Sequence, residues 1–149
     1  MELRAQRPYV IPESLDYPAL CFSRDRSLVV ARDASDLTRC NAVAFWKNRY
    51  FEDLLIVDAA GRRFRVESAQ PDPEVGAMDQ YVARLLNRRF RVNLRLRPEG
   101  RMALIEIKRT AIEWIEKAPD FWSASRELSE WSRQITSCRS VVGLARLFD

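Results

Sequence analysis

Three sets of residues in this 149-residue chain have types and spacing that could do chemistry. The first is Glu106-Ile107-Lys108, at the end of an apolar run. Restriction-type nucleases place a Glu-x-Lys at a strand end, where the carboxylate holds Mg²⁺ and the lysine steadies the attacking water. That chemistry needs a second carboxylate on a neighbouring strand just upstream. Between Asp79 and Glu106 the only acid is Glu99, in a Pro98-Glu99-Gly100 segment that reads as a turn. The motif is therefore better explained as a helix start with solvated charges, and a Mg²⁺-dependent nuclease is a distant third reading.

The second set is nucleophilic: Cys21, Cys40, Cys138, Ser123 and Ser125. The chain has no histidine, so these groups lack the usual base, and the commonest metal ligand is missing as well. The three cysteines are odd in number, widely spaced and in no C-x-x-C pair, which predicts free thiols rather than disulfides or a zinc site. Gly76 and Gly143 stand alone, so no glycine-rich phosphate loop is present. These residues predict a protein that is not an enzyme, with no catalytic residue, no metal and no cofactor.

The third set is a basic face. Residues 90 to 97 alternate without a break, and side chains of a strand point to opposite faces in turn. Phe90, Val92, Leu94 and Leu96 are expected to face a core, and Arg91, Asn93, Arg95 and Arg97 to face outward. Arg63 and Arg65 alternate in the same way on an earlier strand, with Arg84, Arg88 and Arg89 nearby in sequence. Such a cluster speeds encounter with an anionic partner. The plainer reading is a solvated sheet face partly paired with Glu67. Single-stranded nucleic acid would call for exposed aromatics between the basic residues, but Phe64 and Phe90 fall on the core side. Trp114, at the edge of its helix's apolar stripe, is the candidate exposed anchor, whereas Trp122 (beside Phe121) and Trp131 read as core.

The elements that must hold these residues follow from pattern. Pro8, Pro12 and Pro18 impose an extended lead-in over 1–18, anchored by Tyr9, Val10, Ile11, Leu15 and Tyr17. Leu20–Phe22 and Leu28–Ala31 read as short strands. Ser35 or Asp36 is a possible cap for a short helix to about Cys40. Leu54–Val57, a turn at 58–61 with Gly61, and Arg63–Glu67 predict a hairpin. Met78, Tyr81, Val82, Leu85 and Leu86 at helical spacing predict a helix over about 76–87. Residues 102–107 fit either strand or helix. From Thr110 the helical reading wins, with Leu104, Lys108, Ala111, Ile112 and Ile115 on one face. Further helices are expected near 125–137, with Leu128, Trp131 and Ile135 inward, and from a Ser140 cap, burying Val141, Leu144, Ala145 and Phe148. Strands first and helices last predict an α+β fold: an antiparallel sheet of N-terminal strands and hairpins, with C-terminal helices packed on one face.

Composition agrees with one domain over 1–149: 47% hydrophobic, 31% charged and four glycines, a globular mixture that needs no disulfide or metal to fold. The formal charge is +4, nearly all from arginine, with lysine only at Lys47, Lys108 and Lys117. No signal-like apolar run opens the sequence and no stretch approaches a membrane span, which predicts a cytoplasmic protein without a membrane partner.

Several of these features occur together: Tyr50-Phe51, Leu55-Ile56-Val57-Asp58, Gly61-Arg62-Arg63-Phe64-Arg65-Val66, and Val92-Asn93-Leu94-Arg95-Leu96. They are joined by a helix from Leu104 with Lys108, Phe121-Trp122 between helices, and a closing amphipathic segment from Ser140 to Phe148. In this the chain resembles a group of small bacterial proteins that includes immunity proteins of polymorphic toxin systems. It departs from that pattern at Asn48, where glycine often precedes the aromatic pair, and at Ala77-Met78, where an aromatic-glycine pair is usual. The resemblance implies a stoichiometric inhibitor that folds alone, binds one cognate toxin tightly, and needs no metal or cofactor.

The sequence thus leads to a non-catalytic protein-binding protein, foremost an immunity protein. Its partner would be a cognate toxin or other protein, and its candidate binding residues are Arg63, Arg65, Arg91, Asn93, Arg95, Arg97 and Trp114. The second reading is a nucleic-acid-binding or regulatory module using the arginine face.

Overall fold

The computed structural model describes residues 9–149. Its strands are β1 (Ala19–Phe22), β2 (Leu28–Ala31), β3 (Arg39–Asn41), β4 (Leu55–Val57), β5 (Arg62–Pro71) and β6 (Arg89–Arg101). Its helices are α1 (Ala34–Thr38), α2 (Ala77–Leu86), α3 (Leu104–Glu116), α4 (Pro119–Trp122), α5 (Leu128–Ser137) and α6 (Val141–Arg146). The strands form one antiparallel sheet in the order β2-β1-β4-β5-β6-β3. The α+β architecture expected from the sequence is present, with the C-terminal helices on one face of the sheet.

Two cores flank the sheet. On the helical side, Leu20, Phe22, Leu55 and Val57 pack against Ile107, Ala111, Ile115, Trp131, Ile135 and Leu144. On the other side, Cys21, Ile56, Phe64, Phe90, Val92, Leu94 and Leu96 enclose Leu37, Phe51 and Leu54. β1 and β4 are buried on both faces, which is why Leu54–Val57 is a continuous apolar run rather than an alternating one. The β4–β5 turn is organised by Asp58, which is wholly buried. Its carboxylate accepts from the backbone N–H of Asp16, Ala60 and Arg62 and pairs with the Arg62 guanidinium at 2.8 Å. A buried charge is tolerable only with its lone pairs satisfied in this way.

The C-terminal half follows the sequence closely. Residues 102–107 resolve as the start of α3, at Leu104, and Ser140 caps α6 by accepting from the Gly143 N–H at 2.9 Å. Trp131 stacks on Phe148 at 5.3 Å, and Trp122 meets both rings edge-on. Phe121, expected in the same junction, is 65% exposed. The short helix α4 directs Trp122 inward and its neighbour outward.

Other expectations are corrected. The part of the lead-in at 1–8, with Pro8, lies outside the described residues. Val10 forms a bridge with Leu96, with backbone bonds of 2.8 and 3.0 Å; in an extended segment its neighbours then point away, so Tyr9 and Ile11 are exposed rather than anchoring. Asp33, not Ser35 or Asp36, caps α1, accepting from the Asp36 N–H at 2.8 Å. That helix ends at Thr38 because Arg39–Asn41 pairs with Arg89–Arg91 as an edge strand. Pro98-Glu99-Gly100 is no turn; it lies within β6. Finally, α2 turns its small residue Ala83 inward and its apolar stripe outward: Met78, Tyr81, Leu85 and Leu86 are 73, 60, 65 and 59% exposed.

Candidate functional site

Directly opposed residues of an antiparallel pair share a face. Leu55 lies opposite Arg65 and Val57 opposite Arg63. The arginines of β5 therefore occupy the same sheet face as the helical core, one strand beyond the last row the helices cover. On β6, Arg97 lies opposite Arg65. Like charges facing each other across a ladder repel, so this row requires carboxylates.

Two bulges supply them. Between the pairs Phe64–Pro98 and Arg62–Arg101, three steps of β6 span two of β5. Between Val66–Leu96 and Ser68–Arg95, two steps of β5 span one of β6. A bulge re-aims a side chain that strict alternation would direct elsewhere. Glu99 sits in the first, next to Gly100, whose φ of +89° is open to glycine at no steric cost. Glu67 sits in the second. The Arg65 Nε donates to Glu99 Oε1 at 3.0 Å, and Arg97 approaches Glu99 Oε2 at 3.4 Å and Glu67 Oε2 at 3.3 Å. The Arg63 Nε is 3.8 Å from Glu99 Oε1 and, although buried, has no hydrogen-bond partner among the described residues. Arg65 is further fixed by donating from Nη1 to the Asp53 carbonyl at 2.9 Å.

Each of these pairs is partly exposed, and such pairs contribute only about 0–1 kcal/mol. What the network provides is orientation: three guanidinium groups and two carboxylates, each about one-third exposed, tied together on the helix-bearing face of the sheet.

The other sequence-derived site residues are placed differently. Arg91, Asn93 and Arg95 continue along β6 away from the cluster and are exposed. Arg91 lies 3.9 Å from Asp72 and directly opposite Arg39, and Arg95 sits 5.6 Å from the Tyr9 ring. Trp114 is not an exposed anchor. It is half-buried in the helical layer, where its Nε1 donates to the Ser23 carbonyl at 2.8 Å, its ring meets Phe22 edge-on, and Arg26 covers it at 4.4 Å. Its indole N–H found a carbonyl on the β1–β2 turn, a contact between residues 91 positions apart that periodicity does not reveal. Arg84 stacks on Trp46 at 4.2 Å, apart from the β5–β6 cluster. The residue that sequence reasoning missed is Glu99. Its only signal was being the sole acid in a long basic stretch, and the turn reading of Pro98-Glu99-Gly100 concealed it.

Glu106 and Lys108 do not form a site with a second carboxylate among the described residues. Glu106 and Lys108 lie in the first turns of α3, where Glu106 is exposed and Lys108 Nζ donates to the Thr136 carbonyl at 2.9 Å. Among the described residues no three acidic, thiol or imidazole groups gather to hold a metal ion. Burial pushes the Cys21 thiol up to about 12. It does the same to Cys40 despite the opposing charge of Arg89. Cys138 is also raised by burial, with Lys108 opposing. Thiols shifted in this direction are protonated and inert at neutral pH. No helix of the described chain is long and apolar enough to cross a membrane.

Comparison of the chain with protein-family models, with curated proteins and with solved structures finds no match.

Proposed function

We propose that this chain is a non-catalytic, protein-binding protein acting in the cytoplasm, and that its role is the one the resemblance implies: stoichiometric neutralisation of a cognate bacterial toxin. The observation that supports this reading is the placement of Glu99 among Arg63, Arg65 and Arg97, with Glu67 beside them. A surface of interleaved, prefixed charges suits a partner carrying its own mixture of carboxylates and basic groups, since complementarity of this kind sets register and rejects wrong partners. It suits nucleic acid poorly. Glu67 and Glu99 would stand against phosphates at the centre of the patch, whereas nucleic-acid affinity comes from phosphate neutralisation.

The test is calorimetric titration with a candidate toxin domain encoded beside this chain's gene, paired with growth of cells expressing both. The expected outcome is a saturable one-to-one complex and survival. A folded, soluble protein that neither binds the domain nor protects the cells contradicts the proposal.

A further inference from the structure

The inner face of β2 is left partly uncovered. Directly opposed residues share a face, so Val29, opposite Cys21, and Ala31, opposite Ala19, belong to the side of the sheet that carries Phe64, Val92 and Leu96. Cys21 and Ala31 are 2 and 3% exposed, but their neighbour Val29 is 46% exposed. The opening lies where the sheet curls. β2 and β3 are its two edges, yet Val29 and Ala31 of β2 and Arg39 and Cys40 of β3 line one cavity of about 220 Å³. In a flat sheet, spacings of about 4.8 Å per strand would hold these edges far apart. The short helix α1 joins the two strands and contributes Leu37 to the lining.

Floor and rim of this cavity differ in chemistry. The floor is apolar, since Cys21, Ala31, Leu37 and Cys40 are all buried. Burial keeps both thiols protonated, so it carries no charge. At the rim Arg39 and Arg89 are exposed, and neither is ion-paired among the described residues. Arg89 is close enough to the floor for its charge to oppose the shift of the Cys40 thiol. The carboxylate on the lining, Asp36, is already engaged, its Oδ2 accepting from the Arg32 N–H at 3.1 Å. Tyr50, in the loop before β4, lines the same cavity, and burial raises its phenol so that it keeps its proton. Two guanidinium groups and a hydroxyl around an apolar floor are the composition of a small-molecule site.

We propose that the seam between β2 and β3 binds a small organic carboxylate, its anionic group on Arg39 and Arg89 and its apolar body against Val29, Ala31 and Leu37. A planar guanidinium fork matches a carboxylate. Inorganic phosphate would leave the apolar floor unused, and a neutral molecule would leave the arginines unmatched. The volume lies below the roughly 300–1,000 Å³ of drug-sized ligand sites, which selects a body of the size of benzoate or hexanoate. This site is separate from the β5–β6 charge network and stands independently of the toxin reading.

The experiment is calorimetric titration of the full chain with hexanoate and benzoate, beside acetate, inorganic phosphate and the neutral hexanamide. Wild type, Arg39→Gln/Arg89→Gln and Val29→Phe are compared. For wild type the expected result is saturable one-to-one binding of hexanoate or benzoate with Kd below about 1 mM. Acetate, phosphate and hexanamide are expected to bind at least tenfold more weakly. Both variants are expected to lose at least tenfold in affinity, the first by removing the charges and the second by filling the mouth. Their denaturation midpoints should stay close to wild type, because all three side chains are exposed. Absence of saturable binding up to about 10 mM overturns the proposal, as does an affinity unchanged in either variant. Phosphate bound as tightly as hexanoate overturns it in favour of a plain anion site, and hexanamide bound as tightly overturns it in favour of a neutral apolar ligand.

Discussion

At the scale of the residue, the side chains that carry the fold are those whose periodicity is strongest and whose polar atoms find a partner. Trp122 fills the space between Trp131, Phe148 and the sheet, and its Nε1 reaches the Arg26 carbonyl at 3.3 Å. Trp122→Ala leaves a cavity there and is expected to cost about 3–5 kcal/mol. An unfolding midpoint in denaturant that does not move with this substitution would refute the packing assigned to the helical layer. The buried thiols give a second residue-scale expectation. Cys21 and Cys40 are held protonated by burial, up to about 12, against an ordinary 9.0. Below pH 9 both states carry the proton and stability is independent of these groups. Between 9 and about 12 the unfolded chain releases protons that the folded chain keeps, so stability falls as pH rises. Denaturation measured across that window should show the decline, and Cys21→Ala with Cys40→Ala should make it shallower, the Tyr17 and Tyr50 phenols, also raised by burial, supplying the remainder; an unaltered slope in the double variant contradicts the assignment. The single-residue readings that failed share a cause. Trp114, Phe121 and Glu99 were assigned from residue type and neighbours in sequence, whereas Trp114 is settled by its contact with Ser23, Phe121 by the turn of α4, and Glu99 by the bulge at Gly100.

At the scale of the element, strands and helices were legible wherever period and punctuation agreed. The β4–β5 hairpin, the alternating half of β6, α5 and the Ser140-capped α6 all follow from apolar spacing with a turn or cap at the boundary. Two elements deceived for opposite reasons. In β6 the run Pro98-Glu99-Gly100 has turn chemistry, but a bulge satisfies it without reversing the chain. In α2 the apolar stripe predicts the helix correctly and its orientation wrongly, because a stripe says which side chains share a face and not what lies against it. The bulged carboxylates carry an expectation of their own. Glu67→Gln with Glu99→Gln should lower the free energy of unfolding by about 0–1 kcal/mol for each of the four ion pairs it breaks, since the pairs are partly exposed. The same change removes the negative charges that screen the arginines, so weak, salt-dependent oligonucleotide binding should appear where wild type shows none. Tight binding of labelled single- or double-stranded oligonucleotides by wild type at physiological salt, lost in Arg91→Glu/Arg95→Glu, would instead favour the nucleic-acid reading.

At the scale of the whole molecule, the helices cover only part of one sheet face, and charge is most ordered on the part of that same face next to them. The helical layer ends at the row of Leu55 and Val57, and the next row begins with Arg65 and Arg63. The central proposal is that the β5–β6 charge network binds a protein partner. Its most direct test is the titration against the neighbouring toxin domain repeated with Arg97→Glu, a substitution that sets a third carboxylate against Glu67 and Glu99. The account predicts a one-to-one complex for wild type and at least a tenfold loss of affinity for the variant, with its unfolding midpoint little changed. Equal affinity in the two proteins would contradict it.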